Sequence, residues 1–304
     1  MDLTLVAEGL EFPEGPVAMA DGSVILTEMK GRRITRVAPD GSKQTLAGTG
    51  GGPNGAAIGP DGALWITNNG GAFSWIETQG LTIPGPTPRE HEGGSIQRLD
   101  LASSRLETVY ESCDGHRLIG PNDLVFDSAG GFWFTDHGCT IEEGRRFGSL
   151  YYAKPDGSHI VRHRHDLLSP NGVGLAPDGS AVYVADTHHA RLWAFDVAAP
   201  GELAPPPPLA PGRVVAALQG YQLLDSLAVE ADGRVCVATI INGGITAIQP
   251  DGSGIEHHPV PDLVCTNICF GGADMQDAWI TASSTGCLYN ARWPRPGLRL
   301  AFNA

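Results

Sequence analysis

Six side chains that carry oxygen occupy equivalent positions in a recurring stretch of this sequence. Five of them lie eight residues before a turn glycine, and the sixth is placed by aligning Phe270 with the apolar residues at the same position of the other copies. The six are Glu14, Asn54, Asn122, Asn171, Asp225 and Thr266. Two carboxylates with neutral oxygen donors are the ligands that a hard divalent cation prefers. If the six converge, the sequence predicts one divalent metal site with positions left for water and substrate.

Two of the asparagines also have a simpler interpretation. Asn54 and Asn171 each precede a glycine, and Asn-Gly is an ordinary turn sequence. The shared register favours a common role, because unrelated turn residues need not align. Glu14 and Asp225 stand among apolar residues, where an inward-pointing carboxylate should be paired or coordinated.

The segments that must position these side chains form a six-fold repeat. Pro-Asp-Gly or Ala-Asp-Gly recurs seven times, between short apolar runs with strand composition. The six polar residues are spaced by 40, 68, 49, 54 and 41 residues. Intervals of about 40 to 50 residues are typical of four-stranded propeller blades. We therefore predict an all-β, six-bladed β-propeller, one domain over residues 1–304, with the metal in its central channel.

The strand order within a blade follows from the same repeat. The innermost strand, A, should run from the polar residue to the turn, and strands B, C and D should follow outward. The first residues, 3–10, should pair with the last blade and close the ring. A sandwich needs no six-fold register, and a doubly wound α/β fold needs amphipathic helices that the sequence lacks.

Composition restricts the partners of the protein. Its 304 residues include 41 glycines and 23 prolines, and the formal net charge is −14. The acidic balance disfavours nucleic acid and anionic membranes as partners, and no apolar run is long enough to span a bilayer. The N-terminus lacks signal-peptide features, so we expect a cytoplasmic protein whose six cysteines are free thiols. The oligomeric state stays open.

Five short motifs carry a resemblance to a known family. They are Phe12-Pro13-Glu14-Gly15-Pro16, Gly120-Pro121-Asn122-Asp123, Ser169-Pro170-Asn171-Gly172, Asp225-Ser226-Leu227-Ala228-Val229 and Thr266-Asn267-Ile268-Cys269-Phe270-Gly271-Gly272. Together they resemble the SMP-30/gluconolactonase/LRE family of senescence marker protein-30-like sugar lactonases. The resemblance spans nearly the whole chain.

The resemblance implies a six-bladed propeller with one divalent metal held by Glu14, Asn171 and Asp225. It places Asn122 on the metal or on the substrate, and Asn54 at a position that varies within the family. The metal could be calcium, zinc, magnesium, manganese or iron. The implied activity is hydrolysis of a lactone, chiefly a sugar (aldono-) lactone, which would be the small-molecule partner.

Catalysis is assigned to Asp225 as a hypothesis. In one version this carboxylate is the general base that deprotonates the attacking water while the cation polarises the lactone carbonyl. In the other version it attacks the carbonyl directly as a nucleophile. Two other functions remain open, namely phosphotriester hydrolysis at the same site and a non-catalytic calcium-binding scaffold.

Loops on the metal face should supply the substrate contacts. The long B–C segment 69–94 should form part of the rim around the site. Besides Asn54 and Asn122, the predicted substrate-binding residues are Trp75 in that segment, His137 in the next B–C loop, and Arg117 and Tyr221 in D–A loops.

Four other polar residues have less defined roles. Asp136 and Asp186 each end a B strand on the metal face, and they are either partners of the site or strand-end turn residues. His188 and His189 are interpreted as surface histidines.

Overall fold

The computed structural model describes residues 1–302, which form thirty-one β-strands and no helix. The strands make six antiparallel sheets of four strands, one extended by a short fifth strand, and three small hairpins. The innermost strands of consecutive sheets contact each other in a closed ring. The predicted all-β, six-bladed propeller is therefore confirmed, whereas a single domain over all of residues 1–304 stays a prediction.

The chain fills the first three blades in order after an initial strand, β1 (Leu3–Ala7), that belongs to the last blade. Blade 1 consists of β2 (Pro13–Ala18), β3 (Val24–Glu28), β4 (Arg33–Val37) and β5 (Lys43–Gly48). Blade 2 consists of β6 (Pro53–Ile58), β7 (Leu64–Asn68), β10 (Ser95–Leu99) and β11 (Leu106–Tyr110), with the hairpin β8 (Trp75–Thr78) and β9 (Leu81–Pro84) between B and C. Blade 3 consists of β14 (Pro121–Phe126), β15 (Phe132–Asp136), β18 (Gly148–Ala153) and β19 (Ile160–Leu167). The hairpin β12 (Ser112–Cys113) and β13 (His116–Arg117) precedes it, and the hairpin β16 (Cys139–Ile141) and β17 (Gly144–Arg146) lies between its strands B and C.

The last three blades follow the same plan. Blade 4 consists of β20 (Pro170–Leu175), β21 (Ala181–Asp186), β22 (Arg191–Ala199) and β24 (Arg213–Ala217), with β23 (Glu202–Leu203) as the extra strand. Blade 5 consists of β25 (Leu223–Val229), β26 (Val235–Ile240), β27 (Gly244–Ile248) and β28 (Ile255–Pro259). Blade 6 consists of β29 (Cys265–Gly271), β30 (Asp277–Ala282), β31 (Cys287–Arg292) and β1.

Asp-Gly turns join the inner strands, as the repeat predicts. In blade 1, Gly22 has a φ of 82°, and its N–H donates to the carbonyl of Met19 at 3.0 Å. The carboxylate of Asp21 accepts the N–H of Ser23 at 3.1 Å. Glycine therefore supplies the left-handed conformation, and aspartate satisfies a turn donor.

Apolar side chains form one cluster between each pair of neighbouring blades. Between blades 2 and 3, the ring of Trp65 lies 5.9 Å from that of Phe126 and 5.5 Å from that of Phe132, measured between centroids. Each blade is covered on both faces, so strand B has no solvent-facing side, and every residue of β3, β7 and β15 is buried. These strands therefore read as continuous apolar runs instead of an alternating pattern.

The ring closes where the two ends of the chain meet. Leu3 lies opposite Ala291, and Leu5 lies opposite Tyr289, in the antiparallel pair of β1 and β31. The N–H of Leu10 also donates to the carbonyl of Gly286 at 3.0 Å. The predicted pairing of the first residues with the last blade is confirmed.

The segment after β31 covers one end of the central channel. Trp293 is fully buried, and its indole N–H donates to the carboxylate of Glu230 at 2.7 Å. Beyond it, Leu298, Leu300 and Phe302 line a channel cavity of about 110 Å³. The N–H of Leu298 bonds to the last residue of β25, which places this tail at the end where the A strands finish.

All six cysteines lie in the described range and are unpaired, as expected for free thiols. In residues 1–302 we find no helix of the length and hydrophobicity that crossing a bilayer requires.

Removal of residues 1–8 should destabilise the protein, because β31 would become an unpaired edge strand. We expect the apparent melting temperature in differential scanning fluorimetry to fall by about 5 °C or more, with aggregation on heating. Deletion of Met1 and Asp2 alone, which lie outside β1, is the control and should change little. Equal melting temperatures for the two deletions would show that the closure contributes no stability.

Candidate functional site

The predicted ligands gather where the A strands begin. Glu14, Asn54, Asn122 and Asn171 are each the second residue of their strand, and Asp225 is the third residue of β25. All five are buried. Because consecutive A strands contact each other around the ring, these side chains lie at the same end of one channel. We call these five residues the polar ring.

The A–B pairs of blades 1 to 5 break register at or just after the polar-ring position. The shift lies between Glu14 and Val17 in blade 1, and in blades 2 to 5 it spans the polar-ring residue itself, as between Pro53 and Ala56 in blade 2. A bulge of this kind leaves backbone groups that the neighbouring strand cannot pair. Threonines near the end of strand B satisfy several of them.

Thr67 shows how one hydroxyl connects two blades. Its Oγ1 accepts the N–H of Gly55 at 2.8 Å and donates to the carbonyl of Asn122, in the next blade, at 2.5 Å. Thr135 likewise accepts the N–H of Asp123 and donates to the carbonyl of Asn171. These threonines fix the backbone of polar-ring residues in the neighbouring blade.

A third threonine continues the arrangement. The hydroxyl of Thr27 donates to the carbonyl of Asn54 at 2.6 Å. The sequence contains a signal for these contacts, because a threonine stands one residue before the end of each of the first three B strands. Sequence reasoning did not assign it a role, since the acceptor belongs to another blade.

The two carboxylates of the polar ring lie in an environment that disfavours negative charge. Burial raises the pKa of Glu14 well above its usual value, and the nearby charge of Asp225 raises it further. Burial also raises the pKa of Asp225 to about 7, although a hydrogen bond with Asn171 opposes the shift. A bound cation would remove the cost of holding both groups ionised.

The amides of the polar ring have unused oxygens. Oδ1 of Asn54 and Oδ1 of Asn122 are buried without a hydrogen-bond partner among the described residues. The amide nitrogen of Asn54 meets only the sulfur of Met29, at 3.6 Å. Buried polar atoms are normally paired, so two unpaired oxygens in one ring indicate a missing partner.

This donor set fits a hard divalent cation. It combines two carboxylates with amide oxygens, and hard cations take oxygen ligands. Within residues 1–302, no group of three or more His, Cys, Asp or Glu side chains is placed to hold a metal ion. A cation in this ring must therefore draw on Asn171, Asn122 or Asn54 in addition to Glu14 and Asp225.

The sixth residue of the predicted register, Thr266, does not belong to the polar ring. Its hydroxyl bonds to Oγ1 of Thr281 at 2.9 Å and to the hydroxyl of Ser283, so it serves the local strand pairing. The residue after it reaches the ring instead, because Nδ2 of Asn267 donates to Oε2 of Glu14 at 3.1 Å. Thr266 therefore occupies the predicted position in blade 6, but its side chain bonds to strand B and does not join the polar ring.

Asp136 and Asp186 are loop caps. The carboxylate of Asp136 accepts the backbone N–H groups of Ile119, Gly120 and Gly138 at 2.6 to 2.9 Å. Asp186 accepts the N–H of Ser169 at 3.0 Å. Both hold the D–A loop that leads into strand A of their own blade, which confirms the turn interpretation.

Trp75 joins an apolar cluster beside the polar ring. Its ring packs on Phe12 at 4.9 Å between centroids, and the cluster includes Met29 and Val264. Since the sulfur of Met29 contacts the amide of Asn54, this cluster connects Trp75 to the polar ring.

The segment 69–94 lies across the face of the propeller as predicted for a rim. Its hairpin leaves blade 2, and the N–H of Thr82 donates to the carbonyl of Ser284 in blade 6 at 2.9 Å. Glu77 also forms an ion pair with Lys30 in blade 1. The segment therefore spans three neighbouring blades.

His137 is buried in the next B–C loop. Its Nδ1 has no hydrogen-bond partner among the described residues. Burial, with smaller effects from the charges of Arg145 and His188, lowers its pKa well below the usual value, so the imidazole is neutral. His188 is exposed, as predicted, but its ring lies 5.9 Å from that of His137.

The two other predicted substrate contacts lie on exposed loops. Arg117 pairs with Ser112 in a short hairpin, and Tyr221 is 79% exposed. The structure places both in D–A loops, and their contact with a substrate stays a prediction.

Sequence comparison matches the chain to one family. A sequence profile described as the SMP-30/gluconolactonase/LRE-like region matches residues 12–284. A gluconolactonase of Zymomonas mobilis is 25% identical, over 92% of this chain and 79% of that protein.

Solved structures show the same architecture. A gluconolactonase of Xanthomonas campestris superposes with a TM-score of 0.76 at 25% identity, covering 96% of this chain and 89% of that one. A calcium-binding protein, regucalcin, of Agrobacterium tumefaciens gives a TM-score of 0.70 at 18% identity, over 98% of this chain and 99% of the other, and this likeness shows the fold.

The substitution Thr135→Val should destabilise the protein through the inter-blade hydrogen bonds. It leaves the carbonyl of Asn171 and the N–H of Asp123 unpaired, and an unpaired buried polar group costs about 1–3 kcal/mol. We expect urea unfolding to show a loss of about 2 kcal/mol or more.

The matched control is Thr187→Val. Thr187 is also buried, but its hydroxyl has no hydrogen-bond partner among residues 1–302, so its loss should change stability by less than about 0.5 kcal/mol. If both variants lose the same stability, the hydroxyl of Thr135 is not an inter-blade connection.

Proposed function

The chain belongs to the SMP-30/gluconolactonase/LRE-like family, as its motifs predicted, and from that premise we propose that it is a metal-dependent hydrolase that opens the ring of a lactone. The names of its relatives support lactone hydrolysis, since the Zymomonas and Xanthomonas proteins are both called gluconolactonases. A sugar (aldono-) lactone is the proposed substrate.

The observation that carries the metal proposal is the composition and burial of the polar ring. Glu14 and Asp225 are buried close enough to repel each other, and two neighbouring amide oxygens lack partners. We assign the cation to Glu14, Asn171, Asp225 and Asn122. When bound, it would supply Lewis-acid polarisation of the lactone carbonyl. Calcium, zinc, magnesium, manganese and iron all accept some or all of these ligands.

Asp225 is the proposed general base. It takes a proton from the attacking water as the water oxygen bonds to the carbonyl carbon of the lactone. The bond between that carbon and the ring oxygen then breaks, and the ring oxygen receives the proton, which gives the hydroxy acid. Direct attack by Asp225 as a nucleophile is the second version of the mechanism.

The substrate is held by groups around the polar ring. Oδ1 of Asn54 is free to accept a hydrogen bond from a hydroxyl of a sugar lactone, and Asn122, whose oxygen would be on the cation, can donate one through its amide nitrogen. Neutral His137 can accept another through its unpaired Nδ1. We propose that Trp75, Arg117 and Tyr221 complete the contacts from the rim.

The comparisons do not favour phosphotriester hydrolysis or a non-catalytic calcium-binding scaffold. The only partner that we propose is the small-molecule lactone. Six unpaired cysteines and an acidic net charge of −14 support the proposed cytoplasmic location and the proposed lack of nucleic-acid and membrane partners.

Loss of either carboxylate should abolish lactone hydrolysis. We expect Asp225→Asn and Glu14→Gln to lower kcat/KM on aldonolactones by at least about 100-fold, measured by pH indicator with each metal added singly. Glu230→Gln is the control, because Glu230 is also a buried carboxylate of blade 5 but lies just beyond the other end of β25. Full activity in Asp225→Asn would exclude the proposed role of this residue.

Metal removal should lower both activity and stability. A cation that binds only the folded protein stabilises it by about 2.7 kcal/mol at 100 times its Kd. We therefore expect the chelated protein to melt at a lower temperature, and one of the five metals to restore both the melting temperature and the activity. An unchanged melting temperature with all five metals would contradict the metal site.

A further inference from the structure

A second set of six residues lies directly behind the polar ring, one position further along each A strand. These residues are Gly15, Gly55, Asp123, Gly172, Ser226 and Asn267. Three are glycine because the neighbouring blade leaves no room. A Cβ on Gly15 would lie 2.4 Å from the carbonyl oxygen of Asn54, and a Cβ on Gly172 would lie 2.6 Å from the backbone nitrogen of Leu227. Only blades 3, 5 and 6 therefore carry a side chain at this level.

The oxygen and the nitrogen of the Asn267 amide each form one hydrogen bond. Its Oδ1 accepts the N–H of Ile268 at 2.8 Å, which fixes the orientation of the amide group. Its Nδ2 must then face Glu14, where it donates to Oε2 at 3.1 Å. Both residues are buried, so the hydrogen bond holds the carboxylate of Glu14 in one position.

Asp123 and Ser226 make a matching connection on the other side of the channel. The carboxylate of Asp123 accepts the N–H of Leu124 at 2.9 Å and that of Val173 at 3.3 Å. The hydroxyl of Ser226 donates to Oδ1 of Asn171 at 3.3 Å. Asp123 therefore anchors the backbone of β20 two residues after Asn171, and Ser226 holds the amide of Asn171 from behind.

We propose that Asn267, together with Ser226 and Asp123, positions the metal ligands, with Asn267 orienting Glu14 and Ser226 orienting Asn171. The inference rests on the metal site of the proposed function. These three are positioning residues, because they act through Glu14 and Asn171. Groups that orient metal ligands typically contribute about 10- to 100-fold to metal affinity.

The test measures Mn²⁺ affinity by electron paramagnetic resonance on the full-length protein after chelation. We expect Asn267→Leu to weaken the tight Mn²⁺ site, defined as the one lost in Asp225→Asn, by about 10-fold or more. Asn290→Leu is the matched control in the same blade, because its amide donates to the carbonyl of Ala278 in the outer part of the sheet, at 3.1 Å. It should keep the wild-type affinity.

Ser226→Ala keeps the test decisive if Asn267→Leu fails to fold. It removes one hydroxyl and should weaken Mn²⁺ binding several-fold. Unchanged affinity in the folded variants, or an equal loss in Asn290→Leu, overturns the positioning role while the metal site stands. A wild-type protein that binds no Mn²⁺ and keeps full lactone hydrolysis after chelation overturns both the metal site and this inference, but not the lactonase activity.

Discussion

The close approach of six inner strands around a narrow channel is the constraint on which the rest of the structure depends. It restricts the residue behind the polar ring, since a Cβ on Gly55 would lie 2.6 Å from the carboxylate of Asp123. It also breaks the A–B register, which leaves backbone groups for Thr67 and Thr135 to satisfy. Because the A strands are crowded at the axis, the polar-ring side chains near their starts meet at one end of the channel.

Hydrogen bonds from strands B fix the positions of the site residues on strands A. The carboxylates that end strands B of blades 3 and 4 hold the loops leading into strands A, and in blade 3 the threonine beside this carboxylate reaches the next blade. A polar-ring residue such as Asn171 therefore has its entry loop, its carbonyl and its side chain fixed by three different contacts. Preorganised side chains of this kind favour tight and selective binding, because few groups remain to be ordered when a ligand binds.

The sequence was sufficient for the fold and for most of the candidate site, because both follow from a local repeat. Asp-Gly turns and apolar B strands mark each blade, and the polar residue eight positions before the turn marks its inner end. Thr266 was wrongly expected to join the ring, because an alignment places residues in register but does not show which hydrogen bonds their side chains form. The contacts of Thr135, Asn267 and His188 join different blades, and a pattern within a single repeat does not predict them.

The seam between the first and last blades has a consequence for synthesis of the protein. The hydrogen bond from Asn267 to Glu14 joins residues 253 positions apart, and that from Ser283 to Pro13 joins residues 270 positions apart. The ribosome synthesises Glu14 near the start of translation and Asn267 near the end. Blade 1 therefore lacks its neighbour, blade 6, until almost the whole chain has been made, and its exposed edge can mispair during this time. The hydrogen-bonded surroundings of Glu14 are therefore complete only once the last blade has closed the ring.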